Sequence, residues 1–265
     1  MRLGFGRQCA VWLVAIAVLL SSCTSRPPET AETPESAEPA EVAVEPALDD
    51  VAADLPRLDG QATVELLVNG ETIVIEVDGT QAPLTAGNFV DLVQRGVYDG
   101  TVFHRVVKTP QPFVVQGGDP QSTDPNVPAS QLGTGSFVNP ETGQPRYIPL
   151  EILPSGAETP VYSQTFETAG IAEPPALTHT RGAVAMARSQ FPDSASAQFY
   201  IALADLPFLD GSYAVFGQVT EGMDVVDAIE QDDVIESAQV VAGLDNLQPP
   251  EAASPAADSD PEPAE

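Results

Sequence analysis

Basic residues are scarce in this chain. Ten Lys and Arg stand against 39 Asp and Glu, for a formal net charge of −29. Nucleic-acid binding rests on neutralising phosphates with Lys and Arg, so the charge argues against that class of partner. Histidine is scarcer, with only His104 and His179. Cysteine occurs twice, at Cys9 and Cys23, and no Cys/His cluster has the spacing of a zinc site. GxSxG, P-loop and GxGxxG motifs are all missing, so the usual marks of hydrolases, phosphate cradles and dinucleotide binders are not there. QGGDPQ at 116–121 carries a glycine pair but opens no helix, and STDPN at 122–126 offers a single acid for a cation. No metal and no cofactor are expected.

Long apolar runs are missing too. Ala10–Leu20 is an uninterrupted apolar run of eleven residues behind Arg2 and Arg7. A helix that spans a bilayer needs about 20 apolar residues, so this run reads as the core of a signal peptide. It ends in LLSSC (Leu19 to Cys23), which resembles the lipobox of bacterial lipoproteins, whose cysteine becomes the lipidated first residue. The other reading is an ordinary exported protein with a chance cysteine near its cleavage site. Cleavage there leaves Cys23 without a partner, so no intrachain disulfide is expected. The expectation is an exported, membrane-anchored lipoprotein of a bacterium, held by a lipid on Cys23. Residues 24–57 and 248–265 are dominated by Pro, Glu, Ala, Ser and Thr and read as a disordered linker and a disordered acidic tail.

That leaves 58–247, a size suited to a single core. ATVELLV (62–68) and ETIVIEV (71–77) alternate with period two around Asn69-Gly70, a dipeptide fitted to a type I′ turn, and predict a hairpin. PLTAGNFVDLVQRG predicts a helix with Phe89, Leu92 and Val93 on one face, Thr85 as its cap and Gly96 as its stop. Strands follow at 101–107, 113–116, 182–187, 198–202 and 214–219, then a helix at 223–230 and a last strand in SAQVVAGL. Strand-helix alternation is lacking, which argues against a doubly wound sheet. Eight strands with two helices predict a closed β-barrel, which leaves no exposed edge. Residues 120–180, rich in Pro, Gly, Ser and Thr, show little periodicity and read as a long insertion. His104 could be a general base, but no nucleophile lies near it in sequence. A strand histidine facing away from Arg105 is the simpler reading.

Five blocks in order carry a resemblance: FHRVV, FVVQGGD, GAVAMARS, SAQFYIAL and FLDGSYAVFGQVTEGMDVVD. Together they resemble the cyclophilin family of peptidyl-prolyl cis/trans isomerases, from about residue 60 to 244. The resemblance implies a mainly β fold, a closed eight-stranded antiparallel barrel capped by two α-helices, with its active groove on the outside. It implies that Arg105 donates to the prolyl nitrogen and that Gln116 orients it. Phe113, Val114, Tyr200 and Leu209 match the proline pocket. Ala187, Arg188 and Gln198 match groove positions, with Phe208 and Tyr213 at the rim. Isomerising an X–Pro bond breaks no bond, so the missing nucleophiles and metals fit such a reaction.

The sequence departs from the family in several places. VVKTPQP lengthens the turn between Arg105 and Phe113. Val114 stands where methionine is frequent, and Tyr200 where phenylalanine is usual. Phe208 and Tyr213 replace tryptophan and histidine, as in bacterial-type members, and imply weaker cyclosporin binding. Arg188 adds a second positive charge, which predicts a preference for acidic residues near the substrate proline. The expected partners are proline-containing polypeptides, bound by a monomer that assists folding of exported proteins. The alternative is a catalytically weak proline-peptide binding module or scaffold.

Overall fold

The structure is a computed structural model that describes residues 53–250. The signal peptide, Cys23, most of the linker and most of the acidic tail lie outside the described residues. Leu55, within the stretch read as linker, is buried in the core.

The described residues form twelve strands: β1 (Arg57–Leu58), β2 (Gln61–Val68), β3 (Glu71–Asp78), β4 (Arg105–Val106), β5 (Val114–Gly117), β6 (Glu151–Ile152), β7 (Val161–Tyr162), β8 (Ala183–Met186), β9 (Phe199–Ala202), β10 (Val215–Glu221), β11 (Ile235–Ala242) and β12 (Leu247–Gln248). Eight of them form one curled antiparallel sheet in the order β11-β2-β3-β10-β8-β9-β5-β4. β1 pairs with β12, and β6 with β7. The helices are α1 (Pro83–Gln94), α2 (Phe166–Ala169) and α3 (Met223–Ala228).

Local sequence explains much of this. Asn69 and Gly70 both have positive φ, 53° and 75°, so the two-residue turn matches strand twist and pairs β2 with β3 along all eight residues. Gly96, at φ 68°, ends α1 after Arg95. Phe89 of α1 meets Phe216 of β10 at 4.9 Å and Phe199 of β9 at 5.4 Å between centroids. Each such ring, fully buried, contributes roughly 1.5–3 kcal/mol, and it fixes the helix against the inner face of the sheet.

Two expectations are corrected. Residues 101–107 are not one strand, because the chain changes partners. Phe103 N–H donates to Asp233 O (2.9 Å) and Ile235 N–H to Thr101 O (2.8 Å), and only Arg105 and Val106 then pair with β5. The two ends of the sheet meet just before β4, through the bridge Val102↔Val234 and the backbone bonds that join 100–103 to 232–235. The sheet is thus a curled antiparallel half-barrel of eight strands whose ends meet at that bridge. Thr85 is not the cap of α1. The helix begins two residues earlier at Pro83, and Ala82 makes no side-chain cap. The Glu151 carboxylate accepts from Leu84 N–H (3.1 Å) and Thr85 N–H (2.8 Å) instead. Proline at the first turn lacks an N–H, so one carboxylate satisfies the next two donors.

Candidate active site

Strand register assembles the site. Arg105 lies opposite Gln116, Gln116 opposite Tyr200, and Tyr200 opposite Ala185. Two residues along β5, Val114 lies opposite Ala202. Side chains alternate across a sheet, so Val115, Phe199, Ile201 and Val184 fill the core while this second set faces outward. The outward set is apolar as well. Val114, Ala183, Ala185, Tyr200, Ala202, Leu206 and Val215 form a separate buried cluster, with Phe113, Ala187, Leu209 and Tyr213 packed on it. Few sheets bury both faces without helices on each; here the outer cluster is a second apolar floor, with Phe113, Leu209 and Tyr213 packed on it.

Arg105 is exposed beside that floor. Its Nη1 donates to Gln116 Oε1 at 3.2 Å, which fixes the amide so that Gln116 Nε2 donates to Gln198 Oε1 at 3.2 Å. Gln198 Nε2 donates in turn to the carbonyl of Gly135 at 2.8 Å. The guanidinium carbon stands 5.4 Å from the Phe113 ring centre. None of the ion pairs among the described residues involves Arg105. A fixed cation next to an apolar pocket, tethered by an amide and with donors to spare, can hydrogen-bond a neutral acceptor held above the pocket.

Phe113 keeps its place despite the longer turn before it. Its N–H donates to Val107 O at 2.9 Å and its carbonyl accepts from Leu203 N–H at 2.8 Å. The exposed Phe208 stacks on it at 6.0 Å and 16°. On the far side Arg188 lies over Tyr213 at 4.6 Å and donates to Ser212 O and Ser189 O. Those bonds fix the guanidinium in place by neutral carbonyls and a ring, with no carboxylate paired to it among the described residues. Ala187, Arg188, Gln116 and Gln198 also border an adjoining cavity of about 670 Å³, with Tyr147 and Phe191 in its lining.

At the far end of the Tyr200 ring, the hydroxyl sits 2.9 Å from His179 Nε2, and His179 Nδ1 sits 2.7 Å from Asp210 Oδ1. Burial pushes the Tyr200 phenol well above its usual range. Burial also holds His179 below the ordinary imidazole value, opposed by Asp210. His104 is held low chiefly by burial, and neither ring nitrogen has a hydrogen-bond partner among the described residues. No group of three or more His, Cys, Asp or Glu among the described residues is placed to hold a metal ion.

The family model described as cyclophilin type peptidyl-prolyl cis-trans isomerase/CLD matches residues 63–246, more than half of the chain. The chain belongs to the cyclophilins. A protein of Synechocystis sp., provisionally named a thylakoid lumen peptidyl-prolyl cis-trans isomerase, is 41% identical over 205 residues, covering 74% of this chain and 51% of its own. A chloroplastic peptidyl-prolyl cis-trans isomerase of Arabidopsis thaliana is 40% identical over 215 residues, covering 74% and 46%. The chain thus spans about half the length of these two cyclophilin relatives. A cyclophilin-type isomerase of Cryptosporidium parvum shares the fold, with a TM-score of 0.51 at 23% identity over 69% of this chain and 98% of that one.

Sequence reasoning placed Arg105 and Gln116 on adjacent strands but missed Gly135, Glu151 and the pairing of His179. The first two lie in the aperiodic segment and carry no local signal. His179 had one: a histidine and a tyrosine at a phenylalanine position in the same chain invite pairing.

Proposed function

We propose that this cyclophilin catalyses cis/trans isomerisation of X–Pro bonds in polypeptides, with Arg105 as the catalytic group. The observation that carries it is Arg105 tethered by Gln116 at the edge of an apolar groove, free of any carboxylate among the described residues. The X–Pro barrier is about 20 kcal/mol because amide resonance keeps the bond planar. A proline ring seated on Val114 and Tyr200 leaves its nitrogen near the guanidinium. As the bond twists, that nitrogen becomes pyramidal and gains a lone pair. A donor meeting it there stabilises the twisted state more than either planar one, which is what lowers a barrier. Gln116 holds the donor in place, Phe113, Leu209 and Tyr213 complete the grip, and Ala187, Arg188, Gln198 and Phe208 border the bound chain.

The reading of a proline-binding module without turnover draws on Tyr200, on Val114 and on the lengthened turn. Tyr200 turns its hydroxyl to His179, so no unpaired polar group enters the pocket, and Phe113 remains at the groove; both favour turnover. A protease-coupled assay on the full chain with an Ala-Pro peptide tests this. A rate at background, or an Arg105→Ala variant as fast as the parent, overturns it.

We also infer that the protein works outside the cytoplasm, anchored through Cys23, as a folding catalyst for exported chains. The LLSSC stretch supports this, as do relatives whose names place them in the thylakoid lumen and the chloroplast. Mass analysis of the membrane fraction checks it: a diacylglyceryl-sized addition on Cys23 is expected, and an unmodified soluble form contradicts it.

A further inference from the structure

From the Tyr200 hydroxyl runs a polar chain that turning an X–Pro bond does not require. Tyr200 is 5% exposed and His179 2%. A buried hydroxyl needs a partner, and Tyr200 has one in His179 Nε2 at 2.9 Å. His179 is tied twice to one carboxylate: both its backbone N–H (2.8 Å) and Nδ1 (2.7 Å) meet Asp210 Oδ1. Its own carbonyl accepts from Leu206 N–H at 2.7 Å. The histidine therefore has no freedom to follow the tyrosine; the tyrosine must follow it.

The ring of Tyr200 is braced on its other sides too. The His179 ring lies nearly parallel to it, with planes 13° apart, and Tyr213 meets it edge-on at 82°, each with centroids 6.0 Å away. Its hydroxyl end is thus pinned by one residue and its flank by another, while the rest of the ring lies in the apolar cluster with Val114 and Leu206.

We propose that His179 and Asp210 are positioning residues, which lock the Tyr200 ring in the pose that shapes the proline pocket and so set how tightly proline is held. This rests on the isomerase reading above. A neutral His179 fits the role, with Nδ1–H donating to Asp210 and Nε2 accepting from the Tyr200 hydroxyl. Arg105 and Gln116 lie outside this chain of bonds, so freeing the tyrosine loosens the grip on proline and leaves the donor in place.

The test uses NMR on the full chain with an Ala-Pro peptide, reading both the dissociation constant and the cis/trans exchange rate of peptide at saturation. His179→Leu is expected to weaken binding about tenfold, with the saturated exchange rate within about twofold of the parent. The double variant Tyr200→Phe/His179→Leu removes both ends of the bond and is expected to bind within about threefold of the parent, because no polar atom is then stranded. Long-range nitrogen spectra of the parent should show His179 as the neutral Nδ1–H form. If His179→Leu does not fold, Tyr200→Phe alone serves, with the same double variant as rescue. A parent that neither binds nor isomerises overturns the underlying reading and this proposal with it. A working parent overturns the proposal alone in any of three ways: equal binding by His179→Leu, additive losses in the double variant, or an Nε2–H tautomer.

Discussion

Along β9, Phe199 and Ile201 face the core while Tyr200 and Ala202 join the outer apolar cluster. Between Pro120 and Thr180 no such alternation runs on, yet this segment is as firmly built. The strands are ordered by many equivalent apolar contacts, each worth little alone. The segment is held by a few polar groups, among them two buried carboxylates with several N–H partners each. The Asp119 carboxylate accepts from the N–H groups of Gln121, Gly133 and Gly135. Arg146 pairs with Asp91 at 2.7 Å and covers the Phe137 ring at 4.6 Å. Glu151 caps α1. A small apolar cluster of Leu150, Ile152, Phe166 and Ala214 closes the far end. The sheet should therefore tolerate losing a polar group at some cost in chemistry, and the segment should lose stability.

The largest effect tests the first half of that contrast. Arg105→Ala is expected to lower kcat/KM about 10²–10³-fold, the usual cost of one aimed donor. Its melting temperature should stay close to the parent's, because the side chain is exposed and makes no ion pair among the described residues. Equal losses of activity and stability would erase the contrast.

The next tests the second half. Glu151→Ala strands the N–H groups of Leu84 and Thr85 and is expected to cost about 2–3 kcal/mol in urea unfolding. A pH dependence accompanies it. Burial raises the Glu151 carboxyl above its ordinary value, only partly opposed by the N–H donors. A group whose folded value is raised contributes stability that is fully present below the unfolded value of about 4.3 and is lost as pH rises through the folded one. The stability of the parent relative to the non-titrating Glu151→Gln variant should therefore fall as pH is raised from about 4 to 8.

Gly135 joins the two regions and should move both readouts at once. A methyl group there would collide with the Asp119 carboxylate, and the carbonyl beside it is the last acceptor of the Arg105–Gln116–Gln198 chain. Gly135→Ala is expected to lower kcat/KM about tenfold and stability by about 1–2 kcal/mol. A change in stability with unaltered activity would show that the segment does not support the arginine.

Thr85→Ala should have the smallest effect, under about 1 kcal/mol. It tests the position that local sequence offered as the cap and that Glu151 fills.

What was legible follows the same division. Period-two alternation, the Asn69-Gly70 turn and the helical spacing of Phe89, Leu92 and Val93 are short-range signals, and each marked an element that is present. The row of Arg105, Gln116 and Tyr200 came from ordered blocks resembling a family, since no spacing along the chain reveals a register between strands. Thr85 was misjudged because capping rules look at neighbours, whereas the actual cap stands 66 residues away in sequence. Gly135 and Glu151 were invisible for the same reason: a buried carboxylate and its donors leave no period to read.

The pairing of Arg57 with Gln248 and of Leu58 with Leu247 has a use in engineering. The two ends of the folded domain leave it side by side, so a short flexible linker can join them and the chain can be reopened elsewhere. The exposed Thr142–Gly143 turn is a suitable new opening, because it lies apart from the residues that tether Arg105. A permutant made this way would carry its fusion partners at the insertion instead of at β1 and β12. A reporter or tether could then be attached on either side of the protein without redesigning the groove.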